Sequence, residues 1–226
     1  MEGVDFKIVK ATIEDDERIN KFMEEAYIKH EPLSVSLGLN NAGWSEEDDE
    51  GPEILSEGVS LMAVALEGRE FETGEILGLC LNGEMSSNDA EILARMAANC
   101  KDRKFAKIMA FLSRMDRDAN IWGRFDVQRA MGIFVMAVDS RATGRGIGRA
   151  LMERSRDVAR AQGFPMLRVD CTSDFTARIC GRLGMDCVHV QPYQLYTDDD
   201  GHTVFRPPDP HTHFRMFTQR LDSQQT

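Results

Sequence analysis

Ile133-Phe-Val-Met-Ala-Val138-Asp-Ser-Arg-Ala-Thr143-Gly144-Arg-Gly146-Ile-Gly148-Arg-Ala-Leu151 is the stretch on which the fold turns. Its opening run, Ile133 to Val138, is nearly continuous in apolar side chains, the pattern of a strand buried on both faces. Beyond Gly148, the run from Arg149 to Gln162 is amphipathic with helical spacing. Between the two lie glycines spaced two apart. Without a Cβ they permit tight backbone geometry, so several N–H groups can point into one concavity, and the following helix N-terminus adds roughly half a positive charge. Such a loop suits a pyrophosphate. It matches neither the Walker pattern GxxxxGK nor the dinucleotide pattern GxGxxG, because Gly144, Gly146 and Gly148 run GxGxG, so ATP and NAD are disfavoured. Read alone, the loop also fits a purely structural strand-to-helix turn.

Toward the N-terminus, Phe6 to Thr12 alternates as a strand, and Ile13, Ile19, Phe22, Met23 and Ala26 recur at helical spacing up to Tyr27. Pro32 disfavours helical geometry at Glu31, which places Glu31 on a turn after a helix ending near His30. Trp44 to Val59 reads as a loop and a second helix, with the charge run Glu46 to Glu50 near its start. Ser60 to Leu66 and Glu75 to Leu81 read as adjacent antiparallel strands, and Ala90 to Met115 as two helices broken at Lys101 to Lys104. Downstream, Met166 to Cys171 is a strand and Asp174 to Leu183 a short helix closed by Gly184. Met185 to Tyr196 and His213 to Arg220 are the last strands. The expectation is one α/β domain over residues 1–221, a mixed sheet with helices around it, followed by a free tail at 222–226.

Composition narrows the chemistry. Lys plus Arg number 27 against 38 Asp plus Glu, a formal charge of -11, so phosphate backbones are repelled on average and nucleic acid is not an expected partner. A cationic small molecule fits better. No apolar run approaches the roughly 20 residues of a membrane span, and the N-terminus lacks a secretory signal, which points to the cytoplasm without membrane contact; a monomer is expected. Cys80, Cys100, Cys171, Cys180 and Cys187 form an odd set without a CxxC pair, against both a disulfide framework and a zinc site. His211 and His213 would share a strand face and His30 adjoins Glu31, but no third ligand is evident, so no metal is expected.

The glycine stretch, followed by a strand-helix unit ending in Leu183-Gly184-Met185, resembles the GNAT superfamily of N-acetyltransferases. That resemblance implies a central, twisted, mostly antiparallel sheet flanked by helices, with acetyl-CoA as co-substrate and its pyrophosphate on the loop. The superfamily pattern is Gln/Arg-x-x-Gly-x-Gly/Ala. In this chain Thr143 stands at its first position, with Gly146 and Gly148 matching the rest. Glu31-Pro32-Leu33, Cys171-Thr-Ser-Asp-Phe-Thr-Ala177 and Pro210-His-Thr-His213-Phe-Arg together resemble the insect arylalkylamine, or dopamine, N-acetyltransferases across nearly the whole chain.

The resemblance implies that Met136, Ala137, Val138, Thr143, Gly144, Arg145, Gly146, Ile147, Gly148 and Phe175 hold acetyl-CoA. Within that set the amides of Ala137 and Val138 would face the oxyanion, and Arg141 or Arg145 would add positive charge at the phosphates. An alkylamine has a pKa near that of lysine, about 10.4, so roughly one molecule in a thousand is free base at neutral pH, a cost of about 4 kcal/mol. Glu31 is the implied general base. Thr172 and Thr176 stand where the family carries hydroxyls that relay the amine proton or donate to the departing CoA sulfur. Helix capping or a local turn is the plainer use of both. Many members of the superfamily protonate the thiolate with a tyrosine at the position held here by Cys180, and a nucleophilic Cys180 is disfavoured because no His lies nearby in sequence. The implied substrate is a small arylalkylamine such as dopamine, octopamine, tyramine, serotonin or tryptamine. The acidity of the chain keeps agmatine, polyamines or histamine as the alternative, and a protein substrate or a non-catalytic CoA-binding module as further ones.

Overall fold

The computed structural model describes residues 5–39, 51–66 and 70–221. The acidic run Glu46 to Glu50 and the tail 222–226 lie outside the described residues. Seven strands form one sheet: β1 (Phe6–Lys10), β2 (Leu61–Ala65), β3 (Ile76–Ser86), β4 (Arg129–Val138), β5 (Met166–Cys171), β6 (Asp186–Pro192) and β7 (His213–Arg220). Their order is β1-β2-β3-β4-β5-β7-β6, and only β4 and β5 run parallel. A parallel neighbour needs a crossover, and the helix after the glycine loop supplies it.

The helices are α1 (Asp16–Met23), α2 (Pro32–Leu37), α3 (Gly51–Ser56), α4 (Asp89–Asn99), α5 (Arg103–Ala119), α6 (Ile121–Phe125), α7 (Ile147–Ala161) and α8 (Asp174–Arg182). The break at Lys101 to Lys104 falls between α4 and α5, where Asp102 caps α5 by accepting the Lys104 and Phe105 amides. One face of the sheet buries Leu77, Met131, Leu167 and Phe217 against Leu151 and Met152 of α7. The other face carries two clusters. Phe22 and Met23 of α1 pack on Leu79, Val135 and Ala137, and Phe111 and Met115 of α5 pack with Leu33, Tyr193 and Phe214.

Several boundaries differ from the sequence reading: β3 runs on to Ser86, β4 starts at Arg129, α5 reaches Ala119 and α6 is absent from that reading, and four further differences have a local reason. The first helix is a 3-10 turn at Ile13–Asp15, then α1, then a π turn at Glu24–Ile28, because the chain must turn its last residues toward the sheet. The helix ends at Ile28 with Lys29 as its C-cap, close to the expected His30, and Glu31 lies beyond it on a turn as expected, but it also starts α2, which the proline concealed by marking only the stop. Helix α7 begins at Ile147, not Arg149, since Gly146 already serves as its N-cap. The strand expected to reach Tyr196 stops at Pro192, and Tyr193–Leu195 is a 3-10 turn.

Candidate active site at the parting of two strands

β4 and β5 pair only at Met131–Leu167, Gly132–Arg168 and Ile133–Val169. The β3–β4 register then slips, Leu81 facing Val135 and Asn82 facing Ile133, so Phe134 is an extra residue that bends β4 away. β5 meanwhile stays paired with β7 as far as Cys171. The strands part around a cleft of about 1210 Å³, lined by the end of β4, the glycine loop, the end of β5, the start of α8 and the segment Glu25 to Pro32.

The ladder decides which backbone amides face this cleft. Residues of an antiparallel strand turn their N–H groups alternately toward and away from the partner. The Asp139 amide donates to Leu77 O at 2.9 Å, and the Leu79–Ala137 pair repeats that arrangement two residues earlier. Ala137 therefore spends its N–H on β3. Met136 and Val138 turn theirs to the open edge, where β5 no longer supplies an acceptor, so of the two amides read from the sequence for the oxyanion, Ala137 and Val138, only Val138 faces the cleft, and Met136 joins it.

In the glycine loop, Gly144 (φ 81°) and Gly146 (φ 82°) are left-handed, a region that disfavours any side chain. Gly146 caps α7 without a side-chain acceptor, which leaves the first-turn amides of the helix, from Ile147 onward, aimed at the cleft with no helical partner. Thr143, Gly144, Gly146, Ile147 and Gly148 all line it, as do Met136, Ala137 and Val138. Neither expected arginine is spare. Arg145 pairs with Glu70 at 2.6 Å, while Arg141 pairs with Asp139 and Glu75, each at 2.6 Å, and both guanidinium groups lie over Phe71. Hydrogen bonds from Asp139 and Glu75 push the Arg141 pKa up. Burial lifts Asp139, but its bonds to Arg141 outweigh this and hold the carboxyl below its usual range. The cations lining the cleft from the helices are Arg149, which pairs with Glu153 at 3.0 Å, and Arg182, both missed by sequence reading because they sit outside the glycine pattern.

Glu31 is 7% exposed, and its carboxylate is the cap of α2: one oxygen accepts Leu33 N at 3.1 Å and the other Ser34 N at 2.6 Å. The π turn delivers it, since Glu31 N donates to Tyr27 O at 2.8 Å. Each oxygen retains a lone pair beyond its amide bond. Tyr27 also lines the cleft, and burial, then the charge of Glu31, raises its pKa, which keeps the phenol protonated.

Thr172 and Thr176 both line the cleft, but Thr172 precedes Ser173, the N-cap of α8, so the two do not share a helix face. The turn is braced from the C-terminal segment. Tyr193 Oη donates to Thr172 O at 2.8 Å, and Asp174 N donates to His211 Nδ1 at 3.1 Å. Phe175 lines the cleft and meets the His211 ring edge-on at 5.1 Å. His211 was read only as a possible metal ligand; its position in the cleft depends on the β6–β7 connection, which no sequence pattern reveals. Burial lowers its pKa, partly offset by Asp174 and Glu31. Cys180 is fully buried, its sulfur 3.7 Å from those of Cys171 and Met152, and it lies away from the cleft.

Residues 96–180 match the sequence model of the acetyltransferase (GNAT) family. Arylalkylamine N-acetyltransferase 2 from Aedes aegypti superposes with a TM-score of 0.87 at 24% identity, over 96% of this chain and 100% of that one. The chain has the GNAT fold. An agmatine N-acetyltransferase shares this GNAT architecture at 27% identity and a TM-score of 0.82 over the same spans. So does the polyamine N-acetyltransferase of Drosophila melanogaster, which forms N-acetylagmatine, at 26% identity and a TM-score of 0.79, over 96% of this chain and 100% of that one. Among the described residues, no helix is long and apolar enough to cross a membrane.

Proposed function

We propose that this chain transfers acetyl from acetyl-CoA to the primary amine of a small molecule. The observation that carries the reading is one cleft flanked by unpartnered loop and strand amides on one side and a buried, capping carboxylate, Glu31, on the other. The loop amides hold the pyrophosphate, with Arg149 and Arg182 beside them. Glu31 takes the amine proton, directly or through water. The free amine then attacks the thioester carbonyl, whose oxygen gains charge toward the Met136 and Val138 amides. The attacking nitrogen sheds its extra proton as the C–S bond breaks, and that proton reaches the departing thiolate, relayed through the hydroxyl of Thr172 or Thr176, which is left unchanged, or through water. Holding both reactants in one cleft contributes several kcal/mol through proximity alone.

The arylalkylamine and cationic aliphatic amine readings share this chemistry and differ only in the far wall of the amine site. Thiol release from acetyl-CoA, scanned over dopamine, tryptamine, histamine, agmatine and spermidine, tests the proposal. Turnover with any of them supports it, and silence with all of them removes it.

A further inference from the structure

We propose that Asp170 makes the amine wall of the cleft anionic and selects substrates that carry a second cationic group beyond the reacting amine. This rests on the amine acetyltransferase reading above. Asp170 is one residue past the last β4–β5 pair, at the vertex of the cleft, and it lines it. Strand alternation puts it on the face of Met166, opposite Leu167, Val169 and Cys171. Leu33, next but one to Glu31, packs in the cluster on that same face, so Asp170 and the Glu31 turn approach the cleft from one side.

The charge count explains why Asp170 is more than a structural partner. Arg168, 2% exposed, bonds Asp170 through Nε–Oδ1 at 2.9 Å and Nη2–Oδ2 at 2.7 Å, and turns its third nitrogen to Asp116. One guanidinium thus faces two carboxylates. Asp116 is 3% exposed and has no outlet, whereas the Asp170 side chain is 18% exposed, so the surplus negative charge is expressed at the cleft. Glu25 and Lys29, also lining this wall, offset each other, while the cations Arg149 and Arg182 stand on the helices α7 and α8. An ammonium or guanidinium on the distal end of the substrate finds a partly desolvated carboxylate already oriented by Arg168. An uncharged tail leaves the surplus charge of the Asp116–Arg168–Asp170 group without a counter-ion, and that difference is what separates the two kinds of substrate.

The test compares 1,5-diaminopentane with n-pentylamine, which differ only by the distal ammonium. For the unaltered protein, kcat/KM should favour the diamine by at least about tenfold, and Asp170→Asn should erase most of that preference with pentylamine within about twofold of its original value. Asp170→Glu should restore the preference in part. Equal efficiencies with the unaltered protein overturn the proposal without any variant. An equal loss on both amines in Asp170→Asn, with acetyl-CoA binding intact, also overturns it and makes Asp170 purely structural. Absence of turnover with every amine would instead bring down the acetyltransferase reading itself.

Discussion

At the scale of single residues, the Glu31 carboxylate caps α2 and is also the proposed base, and the two roles separate experimentally. Glu31→Gln keeps one acceptor for the α2 amides but no longer accepts a proton from the amine. Its kcat at neutral pH should fall by roughly a hundredfold, while the Kd for acetyl-CoA, measured by calorimetry, stays unchanged. Glu31→Ala also removes the cap and should cost a further ~1 kcal/mol in a denaturant titration. His211 gives a stability prediction with a definite sign. Its pKa is lowered from 6.5 in the folded chain, so below that value the unfolded chain binds the extra proton first and folding weakens as pH falls. Thermal midpoints between pH 7.5 and 5.5 should drop for the native sequence, and part of that drop should vanish in His211→Gln. Glu31 was legible in the sequence because Pro32 announces its turn; its cap, though local, was hidden because Pro32 was read only as a stop, and its burial was hidden because it depends on α5 and the C-terminal segment packing over the turn. His211 was legible only as a residue type.

Among the elements, the glycine loop was read most accurately, because its conformation is local: positive φ at Gly144 and Gly146 demands glycine whatever the rest of the chain does. A Cβ at Gly146 would meet nothing within 4 Å, so Gly146→Ala tests backbone strain without a clash. Strain of about 1–2 kcal/mol is expected, with the loop amides displaced and acetyl-CoA affinity lowered about tenfold or more. Unaltered affinity would remove the loop from the binding site. The direction of the Ala137 amide differs from the expectation for a countable reason. Only the register of β3 against β4 says which alternate residues face the edge, and sequence does not carry register.

For the whole molecule, the alternation of strands and helices disclosed the fold class, whereas the order of strands β5, β7 and β6 and the bulge at Phe134 emerged only with the sheet. The formal charge of -11 has a kinetic consequence. Raising ionic strength from about 0.01 M to about 0.1 M shortens the screening length from about 30 Å to about 10 Å. The on-rate of polyanionic acetyl-CoA should therefore rise and that of a cationic amine fall, in stopped-flow measurements on each alone. Opposite trends for the two ligands are the signature, and a common direction would contradict it. The sheet has one further property: two antiparallel halves, β1 to β4 and β5 to β7, meet through the Met131–Leu167, Gly132–Arg168 and Ile133–Val169 pairs alone. Severed in the turn at Gly163, the chain would give two fragments, each carrying its own antiparallel strands and part of the cleft wall, with the shared apolar clusters under the sheet to hold them together. Acetyl-CoA would stitch such fragments together across the seam, turning the cut protein into a reconstitution sensor whose signal reports the cofactor.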